Sequence, residues 1–176
     1  LLIAKVGVNP MIQTLAMMGI ARGSAILIAG ASLQGLPRGF TRLGQTNILG
    51  IQSPFWFAVV IVVIFSILVS KKVFFRRYYY IGANEKAASL SGINVPRMKV
   101  YAFLLSSLLA GVAGILLSAR MGGAMSTFGT GVELRVISAV ILGGASLQGG
   151  VGMIPGALLG TIFMGIVNNI MIIAKV

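Results

Sequence analysis

Very few side chains in this sequence could carry out chemistry. Its two carboxylates, Glu85 and Glu133, are far apart in the chain, and it contains no histidine and no cysteine. The two carboxylates are expected on opposite sides of a membrane, so they form neither an acid–base pair nor a proton relay. No stretch matches the Gly-rich loop with Gly-Lys-Ser/Thr that binds nucleotide phosphates. The sequence therefore predicts no catalytic residue, no metal site and no cofactor.

The chain is too apolar for a water-soluble domain. Its mean hydropathy is +1.02, and only 9% of its residues are charged, against about 25% in soluble proteins. Lipid must therefore be the solvent for most of the chain. The net charge of +12 does not indicate nucleic acid, because half of the basic residues lie in one stretch between apolar segments. The positive-inside bias of membrane proteins explains that distribution.

The elements that position these residues are predicted to be membrane helices. Four apolar stretches are candidates, at Pro10–Ala29, Pro54–Ser70, Val100–Ala119 and Ile154–Ala174. A shorter apolar piece, Leu134–Leu142, precedes the Gly-rich stretch Gly143–Gly152, which indicates a broken or re-entrant helix. We predict an all-α polytopic transmembrane bundle that forms a single membrane domain over residues 1–176. Since the chain begins and ends in apolar runs, we expect it to be truncated at both ends.

The stretch Lys71–Lys99 holds seven of the fourteen Lys and Arg residues. It is therefore predicted to be a cytoplasmic loop, and Gly30–Ser53 and Arg120–Arg135, with two basic residues each, to face outward. Inside the loop, Gly82–Ile93 predicts a short helix with Asn84 as its N-cap and Gly92 as its stop.

Two residues of that short helix, Leu90 and Ile93, are expected to form a small apolar face. Pro96 is expected to break the path before the next span. On physics alone the helix is either an interfacial helix lying on lipid or a docking element for another protein.

Three stretches carry a family resemblance. They are YYYIGANEKAASLSGINVPRMKVYAFLLSSLLAGVAGILLSAR, GTGVELRVISAVILGGASLQGGVGMIPGALLGTIFMGIVNN and NPMIQTLAMMGIARG. Their combination resembles the bacterial ATP-binding-cassette sugar permeases of the ribose/galactose/autoinducer-2 type, over nearly the whole chain. The resemblance implies a permease domain in the inner membrane. It also implies a second permease subunit, cytoplasmic ATPase subunits and an extracytoplasmic solute-binding protein as partners.

The resemblance also implies roles for residues. The ATPase-coupling segment of the family maps onto Gly82, Asn84, Glu85, Lys86, Ala87, Ala88, Ser89, Leu90, Ser91, Gly92 and Ile93. Candidates for the solute path are Gln13, Thr14, Arg22, Ser146, Gln148, Asn168 and Asn169, although polar groups in spans also hydrogen-bond neighbouring helices, and Arg22 could instead snorkel.

Charge suggests two further contacts. The basic residues predicted to face outward could receive acidic patches of the binding protein, namely Arg38, Arg42, Arg120 and Arg135. The loop is more basic than docking alone requires, which suggests anionic membrane lipid as a partner of Lys71, Lys72, Arg76 and Arg77.

Two alternatives remain open. One is an importer permease for branched-chain amino acids, whose C-terminal region has a similar Gly-rich order. The other is a stand-alone channel or secondary carrier. A carrier driven by ions normally has an ionisable residue within a span, and Arg22 is the one candidate visible in the sequence.

Overall fold

A computed structural model describes residues 3, 9–30 and 32–174 of the chain. Within this part the chain is mainly helical, as predicted, and the strands are very short. The elements in chain order are α1 (Pro10–Ala29), β1 (Ser32–Gln34), α2 (Arg38–Gln45), β2 (Asn47–Ile48), β3 (Ile51–Gln52), α3 (Ser53–Lys71), α4 (Val73–Ala83), α5 (Glu85–Leu90), α6 (Val95–Met121), β4 (Gly123–Met125), α7 (Val132–Leu142) and α8 (Ile154–Ile173).

The four predicted spans correspond to α1, α3, α6 and α8. Each is long and apolar enough to cross a membrane, with 20, 19, 27 and 20 residues respectively. At 1.5 Å per residue, even the shortest extends about 28 Å, close to the thickness of the hydrocarbon layer. The chain is therefore a multi-pass membrane protein.

Local cap chemistry explains where two of these helices begin. The Asn9 side chain accepts a hydrogen bond from the Met11 amide at 2.9 Å, and Pro10 occupies the first turn of α1. The prediction that Pro96 breaks the path before the next span is wrong. Helix α6 begins at Val95, with the Asn94 side chain accepting from the Arg97 amide at 3.2 Å. Proline is tolerated in a first turn because its missing N–H would have had no partner inside the helix.

The described residues form two compact units, each built from two segments of the chain. The first unit takes Leu1–Ala58 and Asn94–Phe128. In it, α2 packs on the C-terminal end of α6, where Ala119 is completely buried. Gln45 Nε2 donates to the Arg120 carbonyl at 3.1 Å, and β1 pairs antiparallel with β4. The segment before α3, which is predicted to face outward, therefore contains the short helix α2, whose eight residues are too few to span a membrane.

Hydrogen bonds attach the start of α3 to this unit. Trp56 Nε1 donates to the Ile48 carbonyl of the β2–β3 hairpin at 3.1 Å. Ser53 Oγ donates to the Leu43 carbonyl at 2.6 Å, and Ser53 is buried. These bonds satisfy carbonyl groups of α2 and the hairpin, and they fix where the chain enters α3.

The second unit takes Val59–Ile93 and Gly129–Val176. Its helices α7 and α8 pack through small residues. A side-chain Cβ at Gly160 would overlap the Ala139 carbonyl oxygen, and one at Gly156 would overlap the Gly143 carbonyl. This approach of the backbones is allowed by small residues four apart, Gly156 and Gly160 on α8 and Ala139 and the C-cap Gly143 at the end of α7. The predicted short helix, Gly-rich break and long helix are all present. That α7 and the Gly-rich break form a re-entrant segment of the membrane domain stays a prediction.

Candidate functional site

Helix α4 is the element of this site that the sequence does not predict, because it lies in a stretch whose basic residues indicate a cytoplasmic loop. Lys72 is the only residue between α3 and α4. Phe75, Tyr78 and Tyr79 are partly buried on one side of α4, whereas Arg76 and Arg77 are exposed. The alternation of aromatic and basic residues in VFFRRYYYI is the signal that could have revealed an amphipathic helix.

Aromatic rings and one arginine hold α4 against the end of α3. The Phe65 and Phe75 rings meet edge to face at 6.2 Å, and the Phe74 and Phe75 rings at 5.4 Å. Arg76 Nη2 donates to the Ser70 carbonyl at 2.6 Å. A cation at that position satisfies a carbonyl in the last turn of α3 and complements the helix dipole. The start of α4 is therefore attached to a membrane span.

Asn84 joins α4 directly to α5. Its amide donates to the Tyr80 carbonyl at 3.1 Å and so closes α4. Its side-chain Oδ1 accepts from the Ala87 amide at 3.0 Å and so caps α5. One residue therefore ends the first helix and starts the second, as its predicted role of N-cap requires.

The other end of α5 is closed by its own hydrogen bonds. The Gly92 amide donates to the Ser89 carbonyl at 3.0 Å, and the Ile93 amide donates to the Ala88 carbonyl at 3.1 Å. Gly92 has φ +80°, a left-handed conformation that glycine adopts without steric cost. This is the Schellman ending that the glycine at position 92 predicts. The helix predicted within Gly82–Ile93 is thus present, with the shorter bounds Glu85–Leu90.

The two apolar residues expected to share one face of α5 do not do so. Leu90 is 91% exposed. Ile93 instead is partly buried and lines a cavity of about 440 Å³ together with Tyr80, Ala83 and Ala87. The reversal of the chain at Gly92 turns Ile93 back towards α5, which is the hydrophobic contact typical of a Schellman ending. Leu90 alone is left as an exposed apolar side chain on the helix.

Backbone contacts join the end of α4 to the break between α7 and α8. A Cβ at Gly82 would overlap the Gly150 nitrogen and would lie 3.0 Å from the Gly149 carbonyl carbon. Gly149 and Gly150 both have positive φ, +91° and +77°. Tyr79 Oη donates to the Gly152 carbonyl at 2.9 Å, and this bond is partly buried. The segment next to α5 therefore packs on the loop that leads into α8.

That loop carries two of the predicted solute-path residues. The Ser146 amide donates to the Val151 carbonyl at 3.0 Å, which closes the loop. Ser146 Oγ accepts from the Gln148 amide at 3.2 Å. The Ser146 hydroxyl therefore has a structural role in the loop, and the Gln148 side chain is exposed.

The remaining path candidates are divided between the two units. Gln13, Thr14 and Arg22 lie on α1, in the first unit, and Thr14 Oγ1 donates to the Pro10 carbonyl of its own helix at 2.9 Å. Asn168 lines a cavity of about 260 Å³ between α7 and α8, where Arg135 also lies, and Asn169 is exposed. Ser146 and Gln148 are not among the residues described around that cavity.

Of the four arginines predicted to contact a binding protein, three belong to the first unit. Arg38 and Arg42 line a shallow depression on α2, beside Thr41 and Gln45. Arg120 lies in the last turn of α6 against α2, where its backbone contacts Gly44. Arg135 belongs to the second unit. The structure therefore brings Arg38, Arg42 and the Arg120 backbone together where α2 packs on the end of α6.

Comparisons with known proteins match almost all of the chain. The family model described as "Branched-chain amino acid transport system / permease component" matches residues 1–175. The L-arabinose transport system permease protein of Escherichia coli (strain K12) is 40% identical over 170 residues, which are 96% of this chain and 52% of that protein. The ribose import permease protein of Bacillus subtilis (strain 168) is 44% identical over 172 residues, 96% of this chain and 53% of that protein.

A third relative is the L-arabinose ABC transporter permease protein of Azospirillum brasilense. It is 40% identical over 176 residues, which are 99% of this chain and 52% of that protein. The chain thus spans about half the length of the curated relatives it matches. No solved structure matches it.

Proposed function

The chain belongs to the family of branched-chain amino acid transport system permease components, and from that membership we propose that it forms part of the membrane subunit of an ATP-binding-cassette importer. In this role it lines the path of a solute across the membrane and carries no enzymatic centre or cofactor of its own. ATP is hydrolysed by a separate cytoplasmic ATPase, and an extracytoplasmic binding protein delivers the solute. A second permease subunit completes the path.

The solute is a sugar under this proposal. The relatives quoted above are named for L-arabinose and ribose. The wider family is described by branched-chain amino acids, so an amino-acid importer is the second candidate. Uptake of labelled ribose and L-arabinose, compared with labelled leucine, separates the two. The sugar proposal expects saturable uptake of a sugar, and uptake of leucine alone would replace it.

The proposed role rests on the structure of α5, a short helix with both ends capped and one large apolar side chain exposed. It is a six-residue helix, too short to be stable by itself, yet both of its ends are closed by hydrogen bonds. Leu90 projects from it with 91% of its surface exposed, and an apolar side chain held out on a capped helix suits insertion into a groove on a partner. We assign the partner as the cytoplasmic ATPase, since the basic stretch around α5 is the one that positive-inside bias places in the cytoplasm.

The basic residues at the end of α3 and the start of α4 fit a lipid surface within the same proposal. Lys71, Lys72, Arg76 and Arg77 are all exposed, and residues 71–84 contain no carboxylate. Tyr80 is 60% exposed beside them, and aromatic and basic side chains together are typical of the interface with anionic headgroups. Under this proposal α4 lies at the cytoplasmic surface of the bilayer, and α5 projects beyond it.

Co-purification tests the docking of the ATPase on α5. We expect Leu90→Asp to remove most of the ATPase that remains bound to the permease in detergent, and Glu85→Lys to weaken its retention. Leu49→Asp is the matched control, because Leu49 is also highly exposed, at 86%, but lies in the β2–β3 hairpin that is predicted to face outward. If Leu90→Asp retained as much ATPase as Leu49→Asp, α5 would not be the docking element.

A further inference from the structure

The contact between α4 and the loop before α8 has a feature that ordinary packing lacks. At Gly82, Gly149 and Gly150 the two segments meet backbone to backbone, with no side chain between them. Side chains can change rotamer to absorb a small displacement, whereas two backbones in contact cannot. A displacement of Gly82 towards Gly149 and Gly150 therefore presses directly on their backbone.

We propose that this contact, together with the hydrogen bond from Tyr79 to Gly152, transmits movement of α5 to the loop of Ser146–Gly152 and to α8. Tyr79 and Gly82 are in this sense positioning residues for transport. The inference rests on the proposed function and extends it, because it names the part of the permease that responds when an ATPase moves α5.

The contact lies directly between the two parts it would connect. Gly82 is two residues before Asn84, which caps α5, and Gly152 is two residues before Ile154, where α8 begins. The intervening backbone is ordered by hydrogen bonds at both ends, from Asn84 to Tyr80 and from Ser146 to Val151. A continuous set of hydrogen-bonded segments therefore leads from α5 to α8, and packed, hydrogen-bonded segments of this kind carry coupling between sites.

The loop of Ser146–Gly152 and α8 carry the groups that a movement of α5 would reposition. The loop holds the exposed Gln148 side chain, and α8 packs closely on α7 through Gly156 and Gly160. Because those helices touch at the backbone, α8 cannot shift alone, and α7 must follow. A push on α5 would therefore move α7, α8 and Gln148 together.

The test is the number of sugar molecules transported per ATP hydrolysed, measured with the full-length permease, its ATPase and its binding protein in proteoliposomes. We expect Gly82→Ala to reduce this ratio about tenfold, because the added methyl group overlaps Gly150 and separates the backbones. Tyr79→Phe keeps the ring and removes only the hydrogen bond, and we expect a reduction of about two- to fivefold. Gly114→Ala is the matched control for Gly82→Ala and should keep the ratio of the unmodified permease, since nothing lies within 4 Å of a Cβ at Gly114.

Retention of the ATPase separates this inference from the proposed function. We expect Tyr79→Phe to bind as much ATPase as the unmodified permease and still to hydrolyse ATP. An unchanged transport ratio in both Tyr79→Phe and Gly82→Ala would overturn the inference. So would a loss of ATPase in proportion to the loss of transport, because α5 itself would then be disturbed. If the unmodified permease neither bound an ATPase nor transported sugar, the proposed function would fail instead.

Discussion

Gly160 of α8 lies so close to Ala139 of α7 that a side-chain methyl group at position 160 would overlap the Ala139 carbonyl oxygen. We therefore predict that Gly160→Val destabilises the packing of the two helices by about 1–3 kcal/mol, the usual cost of overpacking. The measurement is the thermal unfolding midpoint of the purified permease in detergent. Gly165→Val is the matched control on the same helix, because nothing lies within 4 Å of a Cβ at that position. Equal midpoints for the two variants would contradict the close contact.

The cap of α5 leads to a second prediction. Asn84→Ala removes the side-chain bond to the Ala87 amide, a loss of about 1 kcal/mol. Because α5 has only six residues, we expect its first turn to fray and the affinity for the ATPase to fall about fivefold, as measured by titration of the purified ATPase. Asn84→Ser preserves a capping oxygen and should retain most of the affinity. The cap would be irrelevant to docking if the two variants bound equally.

The orientation of the chain can be tested directly because it contains no cysteine. Leu49→Cys and Leu90→Cys place single thiols at two positions that are 86% and 91% exposed. In inside-out vesicles stripped of ATPase, a membrane-impermeant maleimide should label position 90 and leave position 49 unlabelled. Right-side-out vesicles should give the opposite result. Labelling of position 90 from the outside would reverse the predicted topology.

The basic residues of α2 give a fourth prediction. Arg38→Glu and Arg42→Glu together should weaken the binding protein's association with the permease about tenfold at low salt, since complementary charge mainly accelerates encounter. The double change Arg38→Lys and Arg42→Lys keeps the charge and should bind normally. The measurement is binding-protein-stimulated transport as a function of ionic strength, and the difference should shrink as salt screens the charges. Transport by the glutamate variant that matched the lysine variant at low salt would rule out this surface.

The parts of the fold that could be predicted are those determined by nearby residues. Four long apolar segments suffice to place α1, α3, α6 and α8, and the spacing of Asn84 and Gly92 places α5 through cap chemistry. The same local reasoning fails at Pro96, which is predicted to break the path of the chain before the next span. In the structure Asn94 caps the helix just before it, so the proline falls in a first turn.

Other parts depend on neighbours that are remote in sequence. Helix α4 is not evident from the sequence because it lies in a basic stretch that indicates a loop, and its Phe75 ring packs on Phe65 of the preceding helix. The contact of Gly82 with Gly149 and Gly150 has no local signal, since a glycine at a close approach and a glycine in a flexible loop look the same in sequence. Leu90 and Ile93 were expected on one face, but the reversal at Gly92 separates them.

Asn84 ends α4 and caps α5, and this double role restricts insertions and deletions in the segment during evolution. One extra residue before it would lengthen α4 and carry α5 about 100° around the α4 axis, so that Leu90 would point elsewhere. A deleted residue would do the same in the other direction, and neighbouring residues could not absorb either change. Between Tyr79 and Leu90, substitutions can accumulate at positions other than Gly82 and Asn84, but gaps cannot, so functional relatives should preserve the number of residues here even where those other identities differ.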